Sequence, residues 1–320
     1  MTIDRSLYGN CTLCPKKCRI NRLCGQIGFC RSGAEAVLSC ALLHSGEEPP
    51  VTGSGGSGTI FFTGCTLMCG FCQNYQISRD LMGNEADCSE LSDIMISLQK
   101  EGAENINLVT ATHFIPSVAE AVFAARKKEL DIPVLWNTSG YETEESVDML
   151  MDFVDVFLPD VKTLDPVLAA NLFRAADYPF YAANAVLKMA AGRKTDLSLT
   201  GKEGVIRSGV IVRHLVLPGE LESTDQFLKW FSENLAERAI LSIMFQYEPA
   251  GDYCMLPDRR ISESEADQVY SMLDKYDIED GFIQETEEET LWLPDFSKAA
   301  PFPGSREDAA WHWKKGFRRS

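Results

Sequence analysis

The chain has 320 residues, 45% of them apolar and 24% charged, with a formal net charge of −17. Those fractions suit a globular protein, and no apolar run approaches the roughly 20 residues that span a bilayer. So negative a chain is not expected to make broad contact with nucleic acid or an anionic membrane, because phosphate groups are met by Lys and Arg.

The opening Met-Thr-Ile-Asp-Arg lacks the apolar core of a signal peptide, so a cytoplasmic location is expected. Residues 1–52 form a cysteine-rich stretch with little periodicity, read as a small lobe organised by metal rather than by a core. Five of the eleven cysteines fall between Cys11 and Cys30. In a reducing compartment such a cluster points to metal ligands rather than disulfides. Cys11, Cys14, Cys18 and Cys30 supply four ligands for a closed site, and either zinc or a second iron–sulfur cluster suits them. Such a site would hold the lobe together or relay electrons. Cys24 is a spare, and Cys40, Cys88 and Cys254 read as small buried hydrophobes.

Gly53-Ser-Gly-Gly-Ser-Gly58 lacks the Lys-Ser/Thr of a phosphate loop; Thr59-Ile-Phe-Phe follows instead. Close backbone packing ahead of a first strand is the better reading. From residue 59 short β-branched or aromatic runs alternate with stretches of helical period. Strands are predicted at 59–63, 105–111, 132–137, 154–159, 210–217 and 240–247. Helices are predicted at 91–101, 115–128, 144–151, 178–191, 224–235 and 264–276, with Ser89, Thr143, Ser223 and Ser262 as caps. Six β–α units imply a parallel sheet with right-handed crossovers, too few to close an eight-stranded barrel. The expected fold is α/β, a partial (β/α)6 barrel over 53–285, with a C-terminal extension at 286–320. The basic, aromatic tail from Trp311 to Ser320 reads as a loose or locally packed terminus, or as a docking segment.

Polar residues gather where the predicted strands end: at Cys65–Cys72, Thr110–His113, Asn137–Gly140 and Asp160–Lys162, with Arg213 inside the fifth strand. In parallel β/α barrels that rim is where ligands and chemistry sit. His113 and His214 read as hydrogen-bonded core histidines, and Asp160–Lys162 as a site pair or an ordinary strand-end ion pair. Arg213 needs a partner, because a charge in a buried strand is costly alone.

Cys65, Cys69 and Cys72, in Gly-Cys-Thr-Leu-Met-Cys-Gly-Phe-Cys-Gln, are three thiolates in one loop. A closed zinc or [4Fe–4S] site takes four ligands, so three leave one metal position open; half of a structural zinc site is the competing reading. This C-x3-C-x2-C spacing, with Phe71 before the last cysteine, resembles the signature of the radical S-adenosylmethionine (radical SAM) enzymes. With Asp160-x-Lys162 and Arg213-x-Leu-Val-Leu-Pro-Gly219, the chain is similar to the pyruvate formate-lyase activating enzymes. It is more similar to a subgroup of activating-enzyme-related iron–sulfur proteins, through Cys11-Thr-Leu-Cys-Pro-x-x-Cys18, Gly46-Glu-Glu-Pro49 and Thr110-Ala-Thr-His113.

The resemblance implies a [4Fe–4S] cluster on Cys65, Cys69 and Cys72 whose free iron binds S-adenosylmethionine, with Phe71 near the adenine. Lys162 and Arg213 would meet the cofactor's carboxylate, and Asp160 would fix Lys162 or a bound cation. Asn137 and Ser139 would bond the ribose or methionine moiety. Where most of the superfamily has Gly-Gly-Glu for the amino group, this chain has Thr110-Ala-Thr112-His113, so hydroxyls such as that of Thr112, or backbone carbonyls, must substitute. The implied activity is reductive cleavage to a 5′-deoxyadenosyl radical, fed by an electron donor such as flavodoxin or ferredoxin. Activation of a glycyl radical enzyme is one use, and modification of another protein, peptide or small molecule the alternative. A non-catalytic metal-stabilised scaffold is the third reading.

Overall fold

The computed structural model describes residues 3–200, 204–250, 256–284, 293–302 and 309–318. Its frame is one eleven-stranded sheet. β1 (Ala36–His44) runs antiparallel to β2 (Ser57–Phe62), and the short β3 (Asn84–Ala86) pairs with the start of β1. Next come β4 (Ile106–Val109), β5 (Val134–Thr138), β6 (Val156–Pro159), β7 (Gly209–Leu215), β8 (Ile240–Met244) and β9 (Phe282–Gln284). From β2 through β9 each of these neighbours is parallel to the last. Every residue of β2, β4 and β6 is buried, as parallel strands covered on both faces require.

The helices are α1 (Pro49–Thr52), α2 (Tyr75–Ser78), α3 (Cys88–Lys100), α4 (Ile115–Lys127), α5 (Glu144–Leu150), α6 (Pro166–Phe173), α7 (Tyr178–Gly192), α8 (Leu221–Asn234) and α9 (Glu263–Lys275). Thr143 caps α5, and Ser262 with Glu265 forms a full capping box on α9. Two expected caps are displaced. Asp87 rather than Ser89 caps α3, because its carboxylate reaches the Glu90 amide. Ser223 lies inside α8, where its hydroxyl meets that of Thr163 at 2.7 Å.

The two edges of the sheet do not pair among the described residues, so the barrel stays open, a partial barrel with a seventh short parallel strand, β9. Three regions depart from the sequence reading. Residues 36–44 are not part of a coreless lobe; Ala-Val-Leu-Ser-Cys-Ala-Leu-Leu-His is a mostly buried strand of the main sheet. The tail forms β10 (Trp311–His312) and β11 (Gly316–Phe317) against β1, with Trp311 buried and its indole N–H on Glu90 at 2.8 Å. α6 was not foreseen, being a short run ahead of α7. Cys40 is buried and Cys88 partly so; Cys254 lies outside the described residues.

Segment 47–52 closes the barrel's N-terminal end. Val51 of α1 packs on Leu135, Val156, Leu158, Ile211 and Ile240. The glycine-rich run behind it holds no phosphate-loop geometry. Glu104 accepts from the amides of Ser54 (3.3 Å) and Gly55 (3.0 Å), and a Cβ on Gly55 would stand 2.0 Å from the Gly102 carbonyl oxygen. Close packing explains those glycines.

Candidate active site

A cavity of about 260 Å³ opens among the strand ends. One wall is the loop after β2, with Cys69, Phe71 and Cys72. Opposite stand Asn137 of β5, Asp160 and Lys162 after β6, and Arg213 and Leu215 of β7. Phe302, from the C-terminal extension, lies against His44 (4.6 Å between ring centroids) and Phe61 (5.2 Å), and closes a further side.

The cysteine loop is shaped by its own backbone. Gly64 has φ +77°, and a Cβ there would come 2.5 Å from the carbonyl oxygen of Cys30, so only glycine fits where the lobe presses on the loop. Met68 turns through φ 57°, which brings the Leu67 and Met68 amides onto the sulfur of Cys65 at 3.3 and 3.4 Å. The Ser78 hydroxyl meets the Cys72 sulfur at 3.4 Å. Burial pushes the Cys65 and Cys69 thiols up. Such thiols must lose protons to bind metal, and donors aimed at sulfur favour the thiolate.

Lys162 Nζ lies 2.5 Å from Asp160 Oδ2. Burial would lower the ammonium's pKa, but Asp160, with Cys69 and Tyr178, raises it by more, so Lys162 keeps its proton. Tyr178 of α7 holds this corner: its hydroxyl accepts from the Lys162 amide at 2.9 Å and donates toward the carbonyls of Ser139 (2.9 Å) and Asp160 (3.1 Å).

The structure supplies the partner that Arg213 needs. Its guanidinium donates to Glu48 through Nε (2.9 Å) and Nη2, and through Nη2 to Glu47 at 2.5 Å. Two carboxylates against one cation leave a net negative charge at the inner end of the cavity. Asn107 also donates to Glu47 at 2.8 Å, and His44 lies beside it. Burial lowers the pKa of His44, with Glu47 opposing. Sequence reading placed Arg213 at a cofactor carboxylate; here its donors are directed to two glutamates. The adjacent acidic pair in Gly46-Glu-Glu-Pro49, next to an α1 too short to suggest a plug, was the available signal.

Thr112 and Ser139 are not brought to the cavity wall. Thr112 donates to Glu142 Oε1 at 2.6 Å, sharing that buried oxygen with Thr138 (2.7 Å) and the Trp136 indole (3.1 Å). Burial drives the Glu142 carboxyl up against those donors. Ser139 contributes its carbonyl to Tyr178, as above. His113 bonds the Thr63 carbonyl at 2.8 Å, and His214 bonds the Val161 carbonyl (2.7 Å) and Thr224 (3.0 Å) while stacking on Phe227. Burial lowers their pKa values to about 3 and about 4. Both are core residues.

In the lobe, Cys11, Cys14 and Cys30 are buried and Cys18 is half-buried, while Cys24 is exposed. Among the described residues, no three His, Cys, Asp or Glu side chains converge closely enough to share a single ion. Cys65, Cys69 and Cys72 stand on one loop, and in a cubane the irons each take a separate thiolate. Three thiols on one loop, with donors aimed at two of the sulfurs and a cavity beside them, fit such a group.

The model of the radical SAM superfamily matches residues 59–231, more than half the chain, from the start of the parallel sheet into α8. The chain belongs to the radical SAM superfamily. Membership implies a [4Fe–4S] cluster and S-adenosylmethionine. An uncharacterized protein of Methanocaldococcus jannaschii is 29% identical over 287 residues, 87% of this chain and 78% of that protein. The crystal structure of Streptococcus suis SuiB bound to S-adenosylmethionine is similar at 14% identity and TM-score 0.51, over 70% of this chain and 48% of SuiB. SuiB bound to precursor peptide SuiA gives 15% identity and TM-score 0.52, over 70% and 47%. This radical SAM chain thus spans about half the length of those structures, and at such identity the likeness is one of fold. No helix among the described residues is long and apolar enough to cross a membrane.

Proposed function

We propose that this radical SAM protein reductively cleaves S-adenosylmethionine at a [4Fe–4S] cluster held by Cys65, Cys69 and Cys72, and activates a glycyl radical enzyme. The observation that carries this reading is that Cys69 and Cys72 open onto the same cavity as the Asp160–Lys162 pair and Asn137. When bound, the cofactors supply an electron and a 5′-deoxyadenosyl radical, the chemistry the protein itself cannot perform. The chain's part is to bind, orient and exclude water. An ammonium has three donors. Lys162 can therefore keep Asp160 and still pair with a carboxylate, a charge-assisted contact of the stronger kind. Phe71 offers an apolar face beside the cysteines, and Phe302 shields the opposite side.

A second reading has an observation of its own. The inner end of the cavity carries His44 and Glu47, whereas a backbone glycine has no side chain for them to read. Radical modification of a peptide or small molecule bearing a hydrogen-bond donor suits that end better. For Cys11, Cys14, Cys18 and Cys30 we retain the role of ligands to a second, thiolate-bound centre; iron and zinc analysis of the Cys65→Ala protein decides it.

The test is anaerobic reconstitution with a strong chemical reductant. 5′-Deoxyadenosine should form with the parent and be lost with Cys65→Ala or Cys72→Ala; undiminished product from either variant sinks the assignment. A glycyl signal in electron paramagnetic resonance, on adding a glycyl radical enzyme, supports the first reading. Deuterium passing from a labelled peptide or small molecule into 5′-deoxyadenosine supports the second.

A further inference from the structure

The inner end of the cavity carries more negative charge than the fold neutralises. Arg213 meets Glu48 through both Nε and Nη2, and gives Glu47 only a share of Nη2. Two carboxylates thus divide one guanidinium, and one formal negative charge is left over. Toward the thiols the balance is even, because Asp160 and Lys162 pair with each other. Glu48 is wholly buried, whereas Glu47 lines the cavity. The surplus therefore sits where a ligand can reach it.

Glu47 also keeps acceptor capacity. A carboxylate offers about four lone-pair directions, and Glu47 receives Arg213 on Oε2 and Asn107 on Oε1. His44 lines the same end, and none of the described residues hydrogen-bonds its ring nitrogens. Two more polar atoms around this corner have no partner among the described residues. They are Oδ1 of Asn107, on the amide that holds Glu47, and Oγ of Ser242, the register partner of Arg213. Both residues are fully buried, and buried polar atoms are rarely left so. A metal ion does not answer to this corner, since no three His, Cys, Asp or Glu among the described residues converge on one point.

The remaining lining suits a carbon chain. Phe61, Leu215, Met244 and Phe302 supply apolar wall, beside the neutral amides of Gln246 and Gln284. The acidic corner is also close to the Asp160–Lys162 corner. Asp160 and Arg213 are bridge partners on adjacent strands, and such strands lie about 4.8 Å apart. A group seated on Glu47 therefore holds the chain attached to it inside the cavity that the thiols share. What the corner asks for is a positive charge with several donors and no acceptor. A primary ammonium, with three N–H donors, has that form, and the rings of Phe61 and Phe302 beside His44 accommodate a cation.

We propose that the cavity recognises its substrate by a primary alkylammonium group seated on Glu47 and His44, whether that group belongs to a free amine or to a lysine side chain. The inference deepens the second reading above, modification of a peptide or small molecule, and rests on it. One donor of the ammonium meets Glu47 and cancels the surplus charge; another meets an imidazole nitrogen. Burial lowers the pKa of His44 and so favours the neutral ring that can accept. A neutral or anionic substrate of equal length leaves the excess carboxylate buried and unpaired, which is the costly state. Selection for the amine is thus built from what the corner rejects as much as from what it binds.

The test uses the reconstituted holoprotein with S-adenosylmethionine and no reductant, and titration calorimetry with pentylamine, pentanol and pentanoate. The amine should bind at least about tenfold more tightly than either of the others, as one charge-assisted contact gives. Glu47→Gln leaves Glu48 on Arg213 and an oxygen for Asn107, and should cut that preference below about threefold. Should this variant melt lower than the parent, His44→Gln carries the test, with a loss of at least about threefold in amine affinity. N-acetyl-lysine methylamide and a lysine-bearing peptide separate the two sources. Tighter binding of the peptide assigns a side chain, tighter binding of pentylamine a free amine, and both uphold the ammonium. Equal affinity for the three probes overturns the proposal, as does a preference undiminished in both variants. An amine that binds only when S-adenosylmethionine is absent gives Glu47 to the cofactor and overturns it too. A parent that forms no 5′-deoxyadenosine with a chemical reductant fails the functional reading instead, and the calorimetry still judges the cavity.

Discussion

Replacing Arg213 with methionine should expose how the barrel's inner end is balanced. The Arg213 side chain is 7% exposed, that of Glu48 is 0% and that of Glu47 is 10%. Methionine retains much of the stem's packing while removing the only cation bonded to either carboxylate among the described residues. Two buried carboxylates then face each other uncompensated. Breaking a buried pair from one side costs about 3–5 kcal/mol, a large part of the roughly 5–15 kcal/mol that holds a typical domain. At about 2–4 °C per kcal/mol for a large domain, the melting temperature should fall by about 10 °C. Adding Glu48→Gln should restore a substantial part of that loss, because it removes the charge left stranded. The variant's deficit should also shrink as pH falls toward 5. Burial opposes the charged form of Glu47 and the guanidinium of Arg213 is what favours it, so without Arg213 the penalty is present at high pH and relieved on protonation. Thermal unfolding of parent, single and double variants from pH 5 to 8 measures all three. A loss below about 1 kcal/mol, or no recovery in the double variant, would refute the argument that Arg213 is bound to its two glutamates.

Tyr178→Phe strips the hydroxyl that ties Lys162 to the Ser139 and Asp160 carbonyls; it should cost about 1–3 kcal/mol and raise KM for S-adenosylmethionine. An unchanged KM would show that Lys162 is held by other means. Gly64→Ala forces a Cβ toward the Cys30 carbonyl from a left-handed backbone, so iron bound after reconstitution and melting temperature should both fall; full iron loading would contradict that contact. His113 and His214, neutral in the fold with pKa values of about 3 and about 4, take up protons in the unfolded chain near pH 6.5. Stability should thus be full above that pH and be lost on acidification, by about 1.4 kcal/mol per histidine per pH unit. His214→Asn should flatten the slope, and denaturant unfolding at pH 7, 6 and 5 reads it.

Much of the fold could be read locally. Runs such as Ile106–Val109 and Val156–Pro159, buried on both faces, announce parallel strands, and Thr143 and Ser262 announce helix starts. β1 escaped because Ala36–His44 falls within the cysteine-rich stretch, which reads as a lobe organised by metal. The tail strands escaped because Trp311 and His312 pair with residues far away in the chain. The site divides in the same way. Cys65, Cys69, Cys72, Asp160 and Lys162 were legible, being clustered within loops at strand ends. Glu47, Glu48 and Tyr178 were not, since nothing near them in sequence says which side chain they meet.

By itself, then, the sequence determined the repeating β–α order and the thiol triplet, because period and spacing are properties of neighbouring residues. Only the tertiary structure decided that Arg213 is neutralised from the barrel floor, that Thr112 turns toward Glu142, and that a basic lobe rests against the cysteine loop. Those contacts join segments up to 166 residues apart. Burial, which makes an unpartnered charge costly, selects them only once the chain has closed around it.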